Sequence, residues 1–287
     1  MVGKDTKYHS IKQIICKDKL LDLSFPHVMG VINVTPDSFF RGSQNKNINE
    51  ILTRVQQMVD AGVDILDIGG VSTRSHADFL SVEDELNRVL PVLTAIREIH
   101  PNLIISIDTF RAQVAEESIR MGADIINDVY GGRLDDKMHK VIAQYQVPYI
   151  LMHSRGDAAT MQTLCNYEDV IMDVFFELSH TAHELREKGV KDIIIDLGFG
   201  FAKDFKQNYQ LMAGLHYFKL LNYPMLVGIS RKSMVYKLLE CSPETALNGT
   251  TVLNTIALLN NTSIIRVHDV KEARETIKII TEYQNIK

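Results

Sequence analysis

Cysteine is scarce in this chain, and what little there is excludes two chemistries. Cys16, Cys165 and Cys241 are odd in number and far apart, so they offer neither a metal-ligand spacing nor a disulfide framework. A reducing, cytoplasmic setting is the simplest expectation. Excess positive charge is missing too. With a formal net charge of -5, no general nucleic-acid footprint is expected, and any anion site must come from local clustering. No apolar run approaches the length of a membrane span, so no membrane partner is expected. The polar start MVGKDTKYHSIKQ lacks the apolar core of a signal peptide. There is no low-complexity stretch and no Pro/Gly/Ser-rich linker. Residues 1–287 therefore read as one domain, with 1–27 as an N-terminal extension that carries a hairpin.

What is present is a repeating pattern in a chain that is 45% hydrophobic, long enough to bury a substantial core. Weak alternation over 10–24, broken at Lys17-Asp18-Lys19, predicts a short hairpin. Residues 28–32 read as a buried strand, and 48–61 carry helical spacing in Ile48, Ile51, Leu52, Val55, Met58 and Val59. Further strands are predicted at 65–70, 103–108, 125–128, 147–153, 192–198, 223–230 and 264–270. Helices are predicted near 81–98, 111–121, 135–145, 168–188, 206–221, 231–239, 244–260 and 270–284. Several helices run into a glycine just before a strand, as in Ala61-Gly62-Val63-Asp64 and Met121-Gly122-Ala123-Asp124, which suits the left-handed position past a helix end. The strands are short continuous apolar runs, as expected where helices cover them. Roughly eight strand–helix units predict an α/β fold, a closed (β/α)8 TIM barrel with a short N-terminal β-hairpin. An open doubly wound sheet would show a Gly-rich fingerprint after the first strand, and none is present.

The strands finish on polar side chains: Asn33, Asp67, Asp108, Asn127-Asp128, His153, Asp196, Ser230-Arg231-Lys232-Ser233, and Arg266 with His268. In a barrel these ends converge on the face where active sites lie. One such residue is most often a helix cap, as Asp108 could be for a helix begun by Thr109, but a whole ring of them marks a candidate active site. Asp108, Asn127 and Asp196 suit a flat heterocycle with several N–H donors. Lys203, Arg231, Lys232, Arg266 and His268 supply cations for phosphate or carboxylate. In Ile264–Val270 a strand period of two puts Arg266 and His268 on one face. Glycines around Phe201 leave its ring accessible to a ligand. The residues thus point to a planar, nitrogen-rich substrate with an anionic leaving group.

Seven motifs carry a close resemblance to the dihydropteroate synthases: VMGVINVTPDSF (28–39), DIGGVSTR (67–74), ISIDT (105–109), IIND (125–128), IDLGFGFAK (195–203), LVGISRKSM (226–234) and IIRVHDV (264–270). Their order and spacing match as a set, over about 28–284. The resemblance implies condensation of 6-hydroxymethyl-7,8-dihydropterin pyrophosphate with p-aminobenzoate, giving 7,8-dihydropteroate and pyrophosphate in folate biosynthesis. It implies magnesium as cofactor, an SN1-like course and a homodimer formed through outer helices. It assigns pyrophosphate to Asn33, Arg266 and His268, with Asn33 also on magnesium. It assigns the pterin to Asp108, Asn127, Asp196, Lys232 and Arg266, and p-aminobenzoate to Thr73, Arg74, Phe201, Lys232 and Ser233. The catalytic set it implies is Asn33, Arg266, His268, Lys232 and Asp108.

The chain departs from that pattern in four places. Thr73-Arg74-Ser75-His76 stands where Thr-Arg-Pro-Gly is usual, which changes the allowed backbone angles and predicts lowered sulfonamide sensitivity. Arg41 replaces a carboxylate in the first loop, which bears on catalytic efficiency. Leu197 replaces a proline and Ala202 a glycine, both expected to be repacking. The alternatives to a synthase are a pterin-binding methyltransferase domain, which has no pyrophosphate to hold, and a non-catalytic pterin-binding paralogue.

Overall fold

The computed structural model describes residues 13–34, 44–71 and 80–286. Strands β1 (Gln13–Cys16) and β2 (Lys19–Asp22) pair antiparallel across Lys17-Asp18, as the alternation predicted. Eight more strands follow: β3 (His27–Asn33), β4 (Ile65–Gly69), β5 (Ile104–Asp108), β6 (Ile125–Asp128), β7 (Tyr149–Met152), β8 (Ile193–Asp196), β9 (Met225–Val227) and β10 (Ile264–Val267). They are parallel and close in the order β10-β3-β4-β5-β6-β7-β8-β9. Around them lie α1 (Gln44–Asp60), α2 (Val82–Ile99), α3 (Ala112–Arg120), α4 (Met138–Tyr145), α5 (Val170–Glu187), α6 (Phe205–Ala213), α7 (Ser233–Tyr236), α8 (Leu247–Leu259) and α9 (Val270–Asn285). The fold is the expected (β/α)8 TIM barrel with its N-terminal hairpin.

Local signals fix the helix starts. Ser81 caps α2 by accepting the Asp84 N–H at 3.0 Å. Asp204 and Gln207 form a reciprocal capping box on α6. The helix expected over 206–221 is cut at Gly214, after which Leu215–Leu221 is a tighter 3-10 turn. Here the chain passes so close to α5 that a Cβ on Gly214 would lie 2.6 Å from the Ile171 side chain. The glycine exits occur as predicted, with Gly62 and Gly122 at φ 86 and 112.

Alternate strand residues separate into two sets. Val28, Leu66, Ile105, Ile126, Leu151, Ile195, Val227 and Ile265 pack outward with helix residues such as Val55, Leu93 and Leu178. The inward set begins with one apolar residue per strand: Met29, Ile65, Ile104, Ile125, Ile150, Ile194, Leu226 and Ile264. These cluster with Ile14, Cys16, Leu21 and Leu23 of the hairpin, which therefore stoppers the N-terminal end of the barrel. The backbone N–H of Ile15 donates to Asp192 Oδ2 at 3.2 Å and pins the stopper in place. Two residues further along, the same inward face turns polar at Asp67, Ser106, Asn127, Asp196 and Arg266. The candidate site is built on that change.

Candidate active site

Asp67 is the hub of the polar layer. It is 1% exposed and accepts hydrogen bonds from Ser106 Oγ at 2.8 Å, Asn127 Nδ2 at 3.0 Å and Arg266 Nη1 at 3.1 Å. Arg266 Nη1 also lies 3.6 Å from Asp108 Oδ2. Asn127 is fully buried, and its Oδ1 has no hydrogen-bond partner among the described residues. Asp196 accepts the Gly198 N–H at 2.8 Å through Oδ1; its Oδ2 bonds to none of the described residues. Gly228 keeps the space between two of these groups open: a Cβ there would lie 3.4 Å from Arg266 Nε and 4.0 Å from Asp196 Oδ2.

The rim of the barrel carries the remaining predicted groups. Asn33 ends β3 with an exposed side chain. A Cβ on neighbouring Gly69 would lie 3.7 Å from Asn33 Oδ1 and 3.8 Å from Asp108 Oδ2, so amide and carboxylate face one gap. Burial and the Asp67 carboxylate push the Asp108 carboxyl well above the usual carboxylate range, against the pull of Arg266. Asp108 does not cap α3, whose N-cap is Arg111. Lys232 precedes α7; its Nζ donates to the Phe199 carbonyl and sits 4.7 Å from the centre of the Phe201 ring. Burial and nearby Arg266 lower its pKa to about 7, opposed by Asp196 and Asp108. Phe201 packs with Val129, Tyr130, Met152, Met161 and Ala202, an apolar wall that strand-end reasoning did not reveal. Ser233 opens α7 and is half-buried.

His268 lies one residue beyond β10. Its N–H donates to Ser230 Oγ at 3.2 Å, and its Nδ1 lies 3.1 Å from the same oxygen. That bond to Ser230 takes the chain out of the β-ladder, so the strand period does not carry through from Arg266 to His268 as expected. Burial, then Arg54, lowers the imidazole pKa to about 4, so the ring is neutral at neutral pH. A second brace lies beside the first: Arg231 pairs with Asp269 through Nε–Oδ2 at 2.9 Å and Nη2–Oδ1 at 2.8 Å.

Two of the predicted cations have other work. Arg231 is committed to Asp269. Lys203 is 3% exposed and donates to the carbonyls of Gly198 at 3.0 Å and Phe201 at 2.9 Å, with His153 Nδ1 also 3.0 Å away. It holds the loop after β8 rather than facing a ligand. His153, one residue beyond β7, meets Glu177 Oε2 at 3.0 Å, and burial lowers its pKa to about 3. In the same loop Gly198 cannot be replaced, because a Cβ there would lie 1.8 Å from the His153 carbonyl oxygen. Ala202, expected to be simple repacking, instead adopts φ 48, a left-handed conformation that a Cβ disfavours. Arg41 and Thr73-Arg74-Ser75-His76 lie outside the described residues.

The strand-end ring included Asp67 and Ser230, but neither was assigned a ligand. For Asp67 the signal was available: it stands two residues after Ile65, so it shares the inward face of β4. Ser230 left no signal beyond its place at a strand end.

The pterin-binding enzyme family model matches residues 29–268. The dihydropteroate synthase of Escherichia coli K12 is 40% identical over 266 residues, which is 91% of this chain and 92% of that protein. The Yersinia pestis dihydropteroate synthase, solved with a sulfonamide drug complex, superposes with TM-score 0.89 at 37% identity, covering 96% of this chain and 100% of that one. The Xanthomonas albilineans enzyme with 4-aminobenzoic acid gives TM-score 0.87 at 32% identity over 95% and 98% of the two chains.

Proposed function

The chain belongs to the pterin-binding enzyme family, as a dihydropteroate synthase of folate biosynthesis, and from that premise we propose how its side chains divide the reaction. Asn127 Oδ1, Asp196 and Asp108 accept hydrogen bonds from the pterin. Arg266 lies against its face, since guanidinium groups pack on flat π systems. The observation that carries this assignment is the buried, unpartnered Oδ1 of Asn127, since a buried acceptor left unpaired is costly unless a ligand satisfies it. Lys232 and Phe201, with Ser233 beside them and Thr73 and Arg74 from outside the described residues, take p-aminobenzoate.

Asn33, Arg266 and His268 hold the pyrophosphate. The bond between the pterin methylene carbon and the pyrophosphate oxygen breaks, and its electron pair leaves with the oxygen. The amine nitrogen of p-aminobenzoate then attacks the pterin cation and releases a proton. An arylamine is nucleophilic when neutral, so the protein supplies charge and position rather than a strong base. Neutral His268 donates a hydrogen bond to the departing oxygens, and the carboxylates around Arg266 favour the cation.

Among the described residues no group of three His, Cys, Asp or Glu could hold a metal ion. A single amide oxygen, that of Asn33, suits magnesium, which keeps several waters and binds through substrate phosphates. When bound, magnesium would offset part of the pyrophosphate charge. His268→Ala should lower kcat, and Asn127→Ala should raise the pterin-substrate KM and leave that of p-aminobenzoate alone. An unchanged kcat in the first, or an unchanged pterin KM in the second, removes that residue from the site.

The finer expectations belong to the same reading. The whole chain acts as one domain with 1–27 as its extension, in the cytoplasm. No described helix is long and apolar enough to cross a membrane. Two copies pair through the outer face of α8, where Val252, Ile256 and Leu259 are 52%, 36% and 44% exposed in one stripe. Val252→Lys should halve the mass seen by light scattering, and an unchanged mass contradicts this pairing. Ser75-His76 lowers sulfonamide sensitivity; Ser75→Pro with the same inhibition and the same p-aminobenzoate KM would sink that idea. The relatives favour neither the methyltransferase nor the non-catalytic alternative.

A further inference from the structure

The geometry points to Asp67 as a specificity-determining positioning residue: it fixes which end of the Asn127 amide faces the pterin. This rests on Asn127 being a pterin contact, as assigned above. Asp67 cannot touch a ligand itself, because it is 1% exposed and its carboxylate already accepts from Ser106, Asn127 and Arg266. A guanidinium only donates, and it holds this carboxylate in the acceptor role. An amide beside such a carboxylate must turn its NH2 toward it. Asn127 does so, with Nδ2 3.0 Å from Asp67 Oδ2. Its carbonyl oxygen is then left pointing elsewhere, buried and unsatisfied.

The result is a site whose polarity is set from beneath. Asn127 is free to rotate by half a turn only if residue 67 no longer accepts from it. With aspartate there, the pocket presents an acceptor beside those of Asp196 and Asp108, and so selects a ligand edge made of N–H donors. Arg266 and Asn127 both donate to one atom, Asp67 Oδ2, while Ser106 donates to Oδ1. An asparagine at 67 can keep its oxygen in the Oδ2 place and turn its NH2 to the Ser106 hydroxyl, which holds the Asn127 amide as aspartate does. An alanine accepts nothing, and leaves the Asn127 NH2 free to turn toward the ligand and set donor against donor.

Three variants and one observation test this. Asp67→Ala should raise the pterin-substrate KM roughly ten- to a hundredfold, as expected when one buried bond is replaced by a mismatched pair, and leave the p-aminobenzoate KM unchanged. Asp67→Asn, which can keep the acceptor, should recover most of that loss. A merely structural role would not confine both the loss and its rescue to the pterin KM. An unchanged pterin KM in Asp67→Ala, or no rescue in Asp67→Asn, overturns the proposal. Should Asp67→Ala fail to fold, neutron diffraction on the unaltered protein reads the same point. Deuterons between Asn127 and Asp67 support it, and a carbonyl oxygen facing Asp67 overturns it. Asn127→Ala separates the two levels: an unchanged pterin KM there refutes the assignment of Asn127 and with it the ligand-facing half of the proposal, while the neutron result still decides what Asp67 does to the amide.

Discussion

Arg97→Ala should destabilise the protein far more than Arg274→Ala, although the two arginines make the same contact in two copies of one corner. At Gly62-Val63-Asp64, Arg274 of α9 donates to the Gly62 carbonyl and the Asp64 carboxylate, and Asp64 Oδ2 accepts the Val28 N–H at 2.7 Å. At Gly122-Ala123-Asp124, Arg97 of α2 donates to the Gly122 carbonyl at 2.8 Å and to Asp124 Oδ2 at 2.6 Å, and Asp124 accepts the Ile105 N–H at 2.9 Å. Arg97 also reaches the carbonyls of Leu103 at 2.7 Å and Pro101 at 3.0 Å. Burial separates the two corners: the Asp124 side chain is 2% exposed and that of Asp64 27%. Without Arg97 a carboxylate is stranded in a nearly dry corner, which costs about 3–4 kcal/mol. Without Arg274 the carboxylate is reached by water and keeps the His27 ring 3.4 Å away, and the loss is about 1–2 kcal/mol. Equilibrium urea unfolding at unchanged m-value measures both. Adding Asp124→Asn to Arg97→Ala should recover about 1 kcal/mol or more, because a neutral amide is cheaper to bury than a charge. Equal losses, or a larger loss in Arg274→Ala, would refute the burial argument. Both variants should keep wild-type KM values, since these corners precede their strands and lie at the end of the barrel away from the site.

Other outcomes follow from single contacts. Ser230 Oγ accepts the His268 N–H, and among the described residues only His268 Nδ1 is in reach of its own proton. The hydroxyl therefore donates to Nδ1 and keeps the proton of the neutral ring on Nε2. Ser230→Ala should lower kcat roughly three- to tenfold and Ser230→Thr should retain it; equal kcat in the alanine variant and wild type removes Ser230 from this role. Acid should destabilise the fold. His153 and His268 are held at about 3 and about 4 against an ordinary 6.5, so between those values the unfolded chain binds more protons and stability falls as pH drops. Glu177, lowered to about 2 by His153 and Arg155 in spite of burial, adds a loss as pH falls below its ordinary 4.5. The urea midpoint should decline below pH 6.5, less steeply in His153→Gln; a flat profile contradicts the buried neutral rings. Leu21→Asp places a carboxylate in the hairpin stopper, against the first layer of the barrel. It should lower stability by about 3 kcal/mol or more, read as a drop in melting temperature, and an unchanged melting temperature would mean that the hairpin does not plug the barrel.

Much of this was legible in the residues, and the reasons differ by element. The eight strands announce themselves as short apolar runs because helices cover one face, and the same runs overshoot at 192–198, 223–230 and 264–270, where loop contacts end the ladder early. Ser230 taking the His268 N–H is such a contact, and no local pattern encodes a bond between residues 38 apart. Position at strand ends singled out Asn33, Asp108, Asn127, Asp196, Lys232, Arg266 and His268 as candidates. It could not tell a cation facing the cavity from one turned inward, so Lys203 and Arg231 looked alike to Lys232 until their partners were known. Asp67 stood in the strand-end ring without a ligand of its own, because only the inward alternation of β4, two residues after Ile65, shows that it lies under the site.

At the barrel mouth, a pterin is joined to an arylamine with displacement of pyrophosphate. The most direct measurement is pyrophosphate release by the purified protein with magnesium, given the dihydropterin pyrophosphate and p-aminobenzoate separately and together. Release is expected with both substrates, matched by an equal amount of 7,8-dihydropteroate, and is expected to be lost in Arg266→Ala. No release from the folded protein with both substrates present, or release without the condensed product, would contradict it.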